Sequence, residues 1–455
     1  MIPSRLVKHI GCIICFFAFA KAYPQQTAQL LSKEDAVQQM LENNFGVLLA
    51  TNQVAIAENN TSILNSNYLP TVFGLAGANF DRTSSTNDFG GALDQQGNPR
   101  PDIIIDDAET TRYDASINAS YTLFDGLGRF YNYKQLKERY NLSQLEARET
   151  IENVMLQLFS VYYEVARIEE NISVLESALE ISKQRETRAQ YQFDYGQVNR
   201  LQILNAQVDI VTDSINLLNA SQQLRNAQRD LNVVLASDIQ DLKTADTTVT
   251  FVSPLLMDSY LENATLNNVS LLQIEQDILI NDYEIKKAKG LFLPTIGLTG
   301  SYGWNLANNP ASAFFPSTTR TSTSLVAGAS LRWNLFDGGR SIVGLKNAKI
   351  ALDSQEILKA QLEQSVKRDI ANARGNYINA LAIYHLQEDN VATSIANFER
   401  SQERLKLGQI TSIEFRQAQL NLLNTQTSKN AAKYTAKLAE LTLLQLTGQL
   451  LNVDF

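Results

Sequence analysis

The sequence predicts a mixed fold, part all-α and part membrane β-barrel, in which each chain supplies a few strands and continues them as long antiparallel coiled-coil helices. Three observations predict it: a unit that recurs about 212 residues later, segments with a period of two, and apolar 3-4 repeats sustained far beyond an ordinary domain helix.

The first 22 residues are laid out as a secretory signal. Arg5 and Lys8 precede an apolar run from Ile10 to Ala20, and Ala20-Lys21-Ala22 offers cleavage after Ala22. That run is too short to span a bilayer as a helix. No later stretch reaches the roughly 20 apolar residues required, so any membrane crossing falls to strands. Both cysteines, Cys12 and Cys15, lie inside the signal and leave the mature chain without a thiol. Lipid attachment at Cys12 after Gly11 is disfavoured, because His9-Ile10 fits that motif poorly. Losing Arg5, Lys8 and Lys21, and no acid, moves the formal net charge from -9 to -12. An acidic chain without basic runs argues against nucleic acid as a partner.

The body of the chain is one unit written twice, as repeats over residues 23–245 and 246–455. Leu123-Phe124-Asp125-Gly126 returns as Leu335-Phe336-Asp337-Gly338, and Tyr195-Gly196-Gln197 as Leu407-Gly408-Gln409, both 212 residues on. Upstream, Leu69-Pro70-Thr71 returns as Leu293-Pro294-Thr295 at an offset of 224, so the first copy has the longer loop between its strands. Each copy reads helix, strand, loop, strand, very long helix, turn, helix.

Strands are expected at about 71–80, 112–124, 295–304 and 324–336. In the second of these Tyr113, Ala115, Ile117, Ala119, Tyr121 and Leu123 alternate with Asp114, Ser116, Asn118, Ser120 and Thr122. In a barrel the apolar face meets lipid and the polar face a wet lumen. The only tryptophans, Trp304 and Trp333, fall on the apolar face toward opposite ends, where with Tyr113 and Tyr121 they fit two interfacial girdles. Residues 81–111 carry seven acids and two bases, and 305–323 are rich in Ser, Thr and Pro, as loops outside a membrane would be. Four strands cannot seal themselves in hydrocarbon, so the chain must pool strands with its own copies. Two copies supply 8 and three supply 12, and counting does not choose.

Long helices are expected at about 129–195, 197–236, 341–407 and 409–447. Ile151, Val154, Leu158, Val161, Val165, Ile168, Ile172, Leu175 and Leu179 keep a 3-4 alternation, and Leu201, Leu204, Val208, Val211, Ile215 and Leu218 repeat it on the next helix. Gly196 and Gly408 make the turns between partners. Pro70 and Pro294 are expected to end the incoming helices, and Asp125 and Asp337 to cap the outgoing ones, with Gly126 and Gly338 easing the turn.

Enzymatic chemistry has no visible seat. The mature chain has one histidine, His385, set among helical residues and read as structural, and no P-loop, dinucleotide turn or serine elbow. No cofactor, metal site or catalytic residue is assigned.

The paired Leu-Phe-Asp-Gly motifs, Leu-Pro before a strand and the Gly-centred helical turns, in a duplicated secreted chain, resemble the TolC-type outer-membrane efflux family over residues 28 to 450. The resemblance implies a homotrimer with four strands per chain and twelve in total, continued by a coiled-coil α-barrel into the periplasm of a Gram-negative bacterium. It further implies a passive exit duct of a tripartite efflux pump or type I secretion system, docked to a periplasmic adaptor and an inner-membrane pump. Tyr195, Gly196, Gln197, Leu407, Gly408 and Gln409 would then be the tips that meet the adaptor. Glu414 and Gln417, with Gln202 and Asn205 as first-copy equivalents, would surround the periplasmic entrance, and opening would be an iris-like shift at the tips. Two other classes are weighed against this: a diffusion porin, which has no need of such helices, and a coiled-coil surface protein, which has no need of the alternating strands.

Overall fold

A computed structural model describes residues 29–311 and 316–453. The segment read as a signal, residues 1–22 with Cys12 and Cys15, lies outside the described residues. In chain order the main elements are β1 (Gln29–Leu31), α1 (Lys33–Asn43), α2 (Phe45–Asn60), β2 (Thr71–Asn87), β3 (Ile103–Asp125), α3 (Gly128–Asp194), α4 (Arg200–Val234), β4 (Lys243–Ala245), α5 (Pro254–Glu262), α6 (Ala264–Asn267), α7 (Val269–Gly290), β5 (Thr295–Asn309), β6 (Thr318–Arg332), α8 (Arg340–Lys406) and α9 (Ser412–Leu446). Both α3 and α8 have 67 residues, and both α4 and α9 have 35, each pair 212 residues apart.

The chain forms two compact units. One, Ala50–Arg148 with Val269–Ser365, carries a four-stranded antiparallel sheet in the order β2-β3-β5-β6. The register sets Tyr113 opposite Leu306, Ala115 opposite Trp304, Ile117 opposite Tyr302 and Tyr121 opposite Leu298, so these side chains share one apolar face. Across β6 the same face continues through Leu325, Ala327, Ala329 and Leu331. Tyr113 and Ile117 are exposed while Asp114, Ser116 and Asn118 on the other face are partly shielded; nearer the helices Ser120 and Thr122 are exposed and Ala119 and Tyr121 partly shielded. Asp114 lies over Gly77 so closely that a Cβ there would sit 2.9 Å from its carboxylate. Strand β2 obeys the pattern least: Phe73 and Leu75 stand opposite Asn118 and Ser116 on the polar face.

Several expected boundaries are corrected. The strands run to Asn87, start at Ile103, run to Asn309 and start at Thr318, so the β2–β3 connection shrinks to residues 88–102 and the β5–β6 connection to 310–317. The added segments, such as Asp81–Thr86 and Thr318–Thr323, are polar on both faces, which erases the period of two; their Thr and Ser residues still favour extended backbone. At the other end β6 stops at Arg332, so Trp333 and Leu335 lie beyond it, and the Trp333 indole N–H donates to the Phe292 carbonyl at 3.1 Å. A bulge between Thr122 and Phe124 removes Leu123 from the alternation and sets Phe124 opposite Ile296 on the apolar face. The prolines do not end the helices. α2 stops at Asn60, ten residues before Pro70, and α7 stops at Gly290, so each proline instead directly precedes a strand.

The aspartates stand two residues ahead of the N-cap positions expected for them, yet each holds an amide of the first turn. Asp125 Oδ2 accepts the Arg129 amide at 3.0 Å, and Asp337 Oδ2 accepts the Ser341 amide at 3.0 Å. Gly126 has φ +68, and a Cβ there would fall 2.2 Å from the Gly290 carbonyl oxygen. The reverse contact is 2.5 Å, so two backbones touch and both positions require glycine.

The other unit holds the described residues up to Leu49, Glu149–Asn268 and those from Val366 on. Its core is Leu158, Phe159, Tyr162 and Tyr163 of α3 against Leu231, Leu235, Leu441 and Leu444. β1 pairs in parallel with β4, a pairing too short to read from periodicity, and the Tyr162 hydroxyl fastens it by donating to the Leu31 carbonyl at 2.7 Å. Within this unit the long helices lie in the order α4, α3, α9, α8. Asp213 of α4 bonds Ser182 of α3 at 2.6 Å, Gln419 of α9 bonds the Ala178 carbonyl of α3 at 2.7 Å, and Tyr377 of α8 bonds Glu440 of α9 at 3.0 Å.

One packing expectation is overturned. The α4 stripe from Leu201 to Leu218 does not pack on α3: these six residues are 47 to 69 % exposed. Ile203, Ala206, Asp213, Ala220 and Ala227 are buried instead. From Ala206 on those positions recur every seven residues, a helical period too, but with a charge and small residues in it, so the more apolar stripe drew the reading. α8 leaves Ile378, Ile383, Leu386 and Ile395 exposed, scattered over more than one face of the helix. His385 is exposed and pairs with Glu388 at 3.0 Å.

Candidate functional site

The two helical tips are built alike. Each long helix ends with a glycine at φ +71, Gly196 or Gly408, where the left-handed backbone excludes most side chains. The Gln197 amide donates to the Gln192 carbonyl at 2.8 Å and the Gln409 amide to the Arg404 carbonyl at 2.9 Å, closing the same terminal motif. Tyr195 and Leu407 project from these turns, 81 and 70 % exposed. The return helices begin at Arg200 and Ser412, three residues later than expected, because Asn199 and Thr411 take extended backbone as N-caps.

Next to the second tip Glu414 is engaged in capping. Its carboxylate accepts the Thr411 amide at 2.7 Å while its own amide donates to the Thr411 hydroxyl at 3.2 Å. Those bonds hold its carboxyl below the ordinary value for glutamate, so it stays ionised. Gln417 is exposed and bonds Asn421 at 2.8 Å. Gln202 and Asn205 line a groove of about 510 Å³ with Thr411, Ser412 and Ile413. The first-copy pair is thus brought to the start of α9, whereas Glu414 and Gln417 do not line that groove.

Behind the groove lies a charge network that reading the sequence missed. Arg416 of α9 grips Asp213 of α4 through two nitrogens at 2.7 and 2.9 Å and reaches Ser182 of α3 at 3.1 Å. Arg185 of α3 pairs with Asp209 of α4 at 2.9 Å and donates to the Ser412 hydroxyl at 3.1 Å. Asp213 is only 2 % exposed. Burial pushes the Arg185 guanidinium below its ordinary range, and Asp209 opposes that shift. Arg188 donates to the Leu405 carbonyl at 3.0 Å, tying α3 to the last turn of α8. The available signal was Asp213 itself, a charge on the small-residue stripe of α4.

Among the described residues no group of three or more His, Cys, Asp or Glu is placed to hold a metal, and no helix is long and apolar enough to cross a membrane.

Comparison with known proteins agrees with the architecture. The family described as Outer membrane efflux protein matches residues 36–237 and 260–449, most of the chain. The outer membrane efflux protein BepC of Brucella suis is 21 % identical over 410 residues, covering 90 % of this chain and 83 % of that protein. The CmeC outer membrane channel of Campylobacter jejuni superposes with a TM-score of 0.70 at 17 % identity, covering 92 % of this chain and 85 % of that one. The MtrE outer membrane channel of Neisseria gonorrhoeae, in its open state, does so at 0.64 and 18 %, covering 92 % and 89 %. The doubled strand pairs, the doubled helical tips and a family match spanning both repeats lead to one assignment: the chain belongs to the outer membrane efflux protein family, and is an outer-membrane efflux channel whose helices extend into the periplasm.

Proposed function

We propose that three copies close one twelve-stranded barrel and one helical tunnel, which receives substrate from a periplasmic adaptor and inner-membrane pump at the tips and conducts it passively outward. The observation that carries this reading is the pair of open edges in each unit. In the sheet unit β2 and β6 have no outer partner among the described residues. Unpaired backbone in hydrocarbon costs several kcal/mol per group, so those edges demand strands from elsewhere. β2 and β6 run in opposite directions, so β6 of one copy meets β2 of the next in the antiparallel sense used throughout. In the helical unit the outer helix α4 leaves an apolar stripe uncovered, and α8 leaves large apolar side chains exposed. A neighbouring copy supplies what covers both.

The repeat also supplies a register. Within the chain β3 pairs with β5 as Ile117 opposite Tyr302. Moving those positions by the offsets of 212 and 224 places Ala329 of one copy opposite Ala78 of the next.

Height along the barrel supports membrane placement. Tyr113 and Tyr121 are eight residues apart on β3, about 27 Å along the strand, or roughly 20 Å of height at the usual barrel tilt. That matches an apolar band of about 25 Å with Trp304 beside the upper ring and Trp333 near the lower.

At the tips, Tyr195 and Leu407 are the exposed side chains we assign to adaptor contact. Gln202, Asn205, Glu414 and Gln417 are assigned to the entrance. Photo-reactive residues placed at 195 and 407 in cells should capture a second protein, whereas one at exposed Glu176, within α3, should not. Tips that yield no hetero-crosslink while the chain sits in the outer membrane would contradict the assignment.

A further inference from the structure

Where the strands of the sheet unit hand over to helices, the charge of the chain changes sign. Residues 125–140, 282–293 and 332–349 hold eleven lysines and arginines against five acids, although the chain as a whole is acidic. At the opposite end of the sheet, residues 81–111 hold seven acids against two bases. The basic end is therefore a local feature that the overall composition opposes.

Its lysines and outer rings recur in both halves, whereas Arg129 and Tyr133 are replaced by Ser341 and Leu345. Lys134 and Lys137 return as Lys346 and Lys349, and Tyr121 as Trp333, all at the offset of 212; Tyr68 returns as Phe292 at the offset of 224. In the first repeat the rings and cations alternate in contact. The Arg129 guanidinium stands 5.9 Å over the Tyr121 ring and 5.2 Å over the Tyr68 ring. Tyr68 meets Tyr133 edge-on at 6.2 Å, and the Lys137 ammonium lies 4.7 Å over Tyr133. Tyr121 stands on the apolar face of the sheet, opposite Leu298. The ladder thus begins where the apolar surface ends and follows the first turns of α3. Lys137, Lys346 and Lys349 are exposed at its far side.

We propose that this collar binds the anionic phospholipid headgroups of the membrane leaflet on the helix side of the barrel. The proposal rests on the barrel reading above. Tyrosine and tryptophan rings settle at the depth of headgroups, and lysines just beyond them reach phosphate. Lysines and rings written into both repeats surround the barrel, which fits a leaflet on every side better than a single protein partner. One lysine near an anionic surface corresponds to roughly fivefold local enrichment of the anionic lipid.

Trp333 gives a direct readout, because the chain has only one other tryptophan. The full chain carrying Trp304→Phe is placed in vesicles of phosphatidylcholine and phosphatidylglycerol, with bromine on the acyl chains of one lipid or the other. Brominated phosphatidylglycerol should quench Trp333 several-fold more than brominated phosphatidylcholine at equal mole fraction. The excess should fall as salt is added, and should vanish in the Gln variant of Lys134, Lys137, Lys346 and Lys349 but persist in the Arg variant. Equal quenching by the two lipids, or an excess indifferent to salt and to the Gln variant, would overturn the collar while leaving the barrel intact. No quenching by either lipid would overturn the barrel reading and the collar together.

Discussion

Replacing Asp213 by alanine removes the acceptor that Arg416 grips with two nitrogens at 2.7 and 2.9 Å and that also accepts a hydrogen bond from the Ser182 hydroxyl at 2.6 Å. The aspartate side chain is 2 % exposed and the arginine 11 %, so water does not replace the lost contacts. Stripping one partner from a buried pair costs about 3–5 kcal/mol. Asp209 remains 3.4 Å from the Arg416 Nε and shares the stranded charge, which places the cost near the lower end, about 3 kcal/mol. The network joins the beginnings of α4 and α9 to α3, so the energy holds the tips in their present arrangement. With this arrangement taken as the closed one and the open one lacking the pair, about 3 kcal/mol shifts the closed-to-open ratio by roughly 100-fold. Single-channel recording in planar bilayers checks this: D213A should open far more often than the unsubstituted chain, and R416A should do the same. A double-mutant cycle on thermal unfolding should give a coupling of about 2 kcal/mol or more between the two residues. Unchanged gating in D213A, or effects of D213A and R416A that simply add, would refute the reasoning.

Other outcomes follow from single positions. Gly290→Ala puts a Cβ 2.5 Å from the Gly126 carbonyl oxygen, backbone against side chain with no room to yield, and should cost at least about 2 kcal/mol; an unchanged unfolding temperature would remove that close approach from the account. Burial lifts the Glu169 carboxyl from 4.5 to about 7. A folded-state value above the unfolded one means stability is fully present below about pH 4.5 and is lost as pH rises through about 7, by at most about 3 kcal/mol. Glu169→Gln should flatten that slope in unfolding temperature against pH, and parallel slopes would contradict it.

The legible parts of the molecule are those written twice or with a long period. Leu123-Phe124-Asp125-Gly126 and its second copy marked both exits from the sheet, and a period of two marked β3 and β5 where one face is apolar. Strand tips beyond the apolar band carry Ser and Thr on both faces, so their ends were invisible. The bulge at Leu123 escaped because a one-residue insertion costs the pattern only its last position. The α4 seam was misplaced for a more instructive reason. On the trimer proposed above, the most apolar stripe, Leu201 to Leu218, is left for the neighbouring copy, while Asp213 and small residues are buried within the chain. Gly290 and the Arg416–Asp213 pair unite positions 164 and 203 residues apart, beyond the reach of local pattern.

The claim that most of this rests on is that the sheet is finished by neighbours. Because both native cysteines lie in the first 22 residues, cysteines introduced at Ala78 and Ala329 would be the only thiols of a processed chain. Across the proposed β6-to-β2 seam those positions face each other, so oxidation should link copies into a covalent ladder that ends at three chains. Cysteines at Ala76 and Ala115, opposite each other within one chain, should give a linked monomer as the internal control. A control that links while the 78/329 pair stays monomeric, or a ladder that runs past three, would contradict the account.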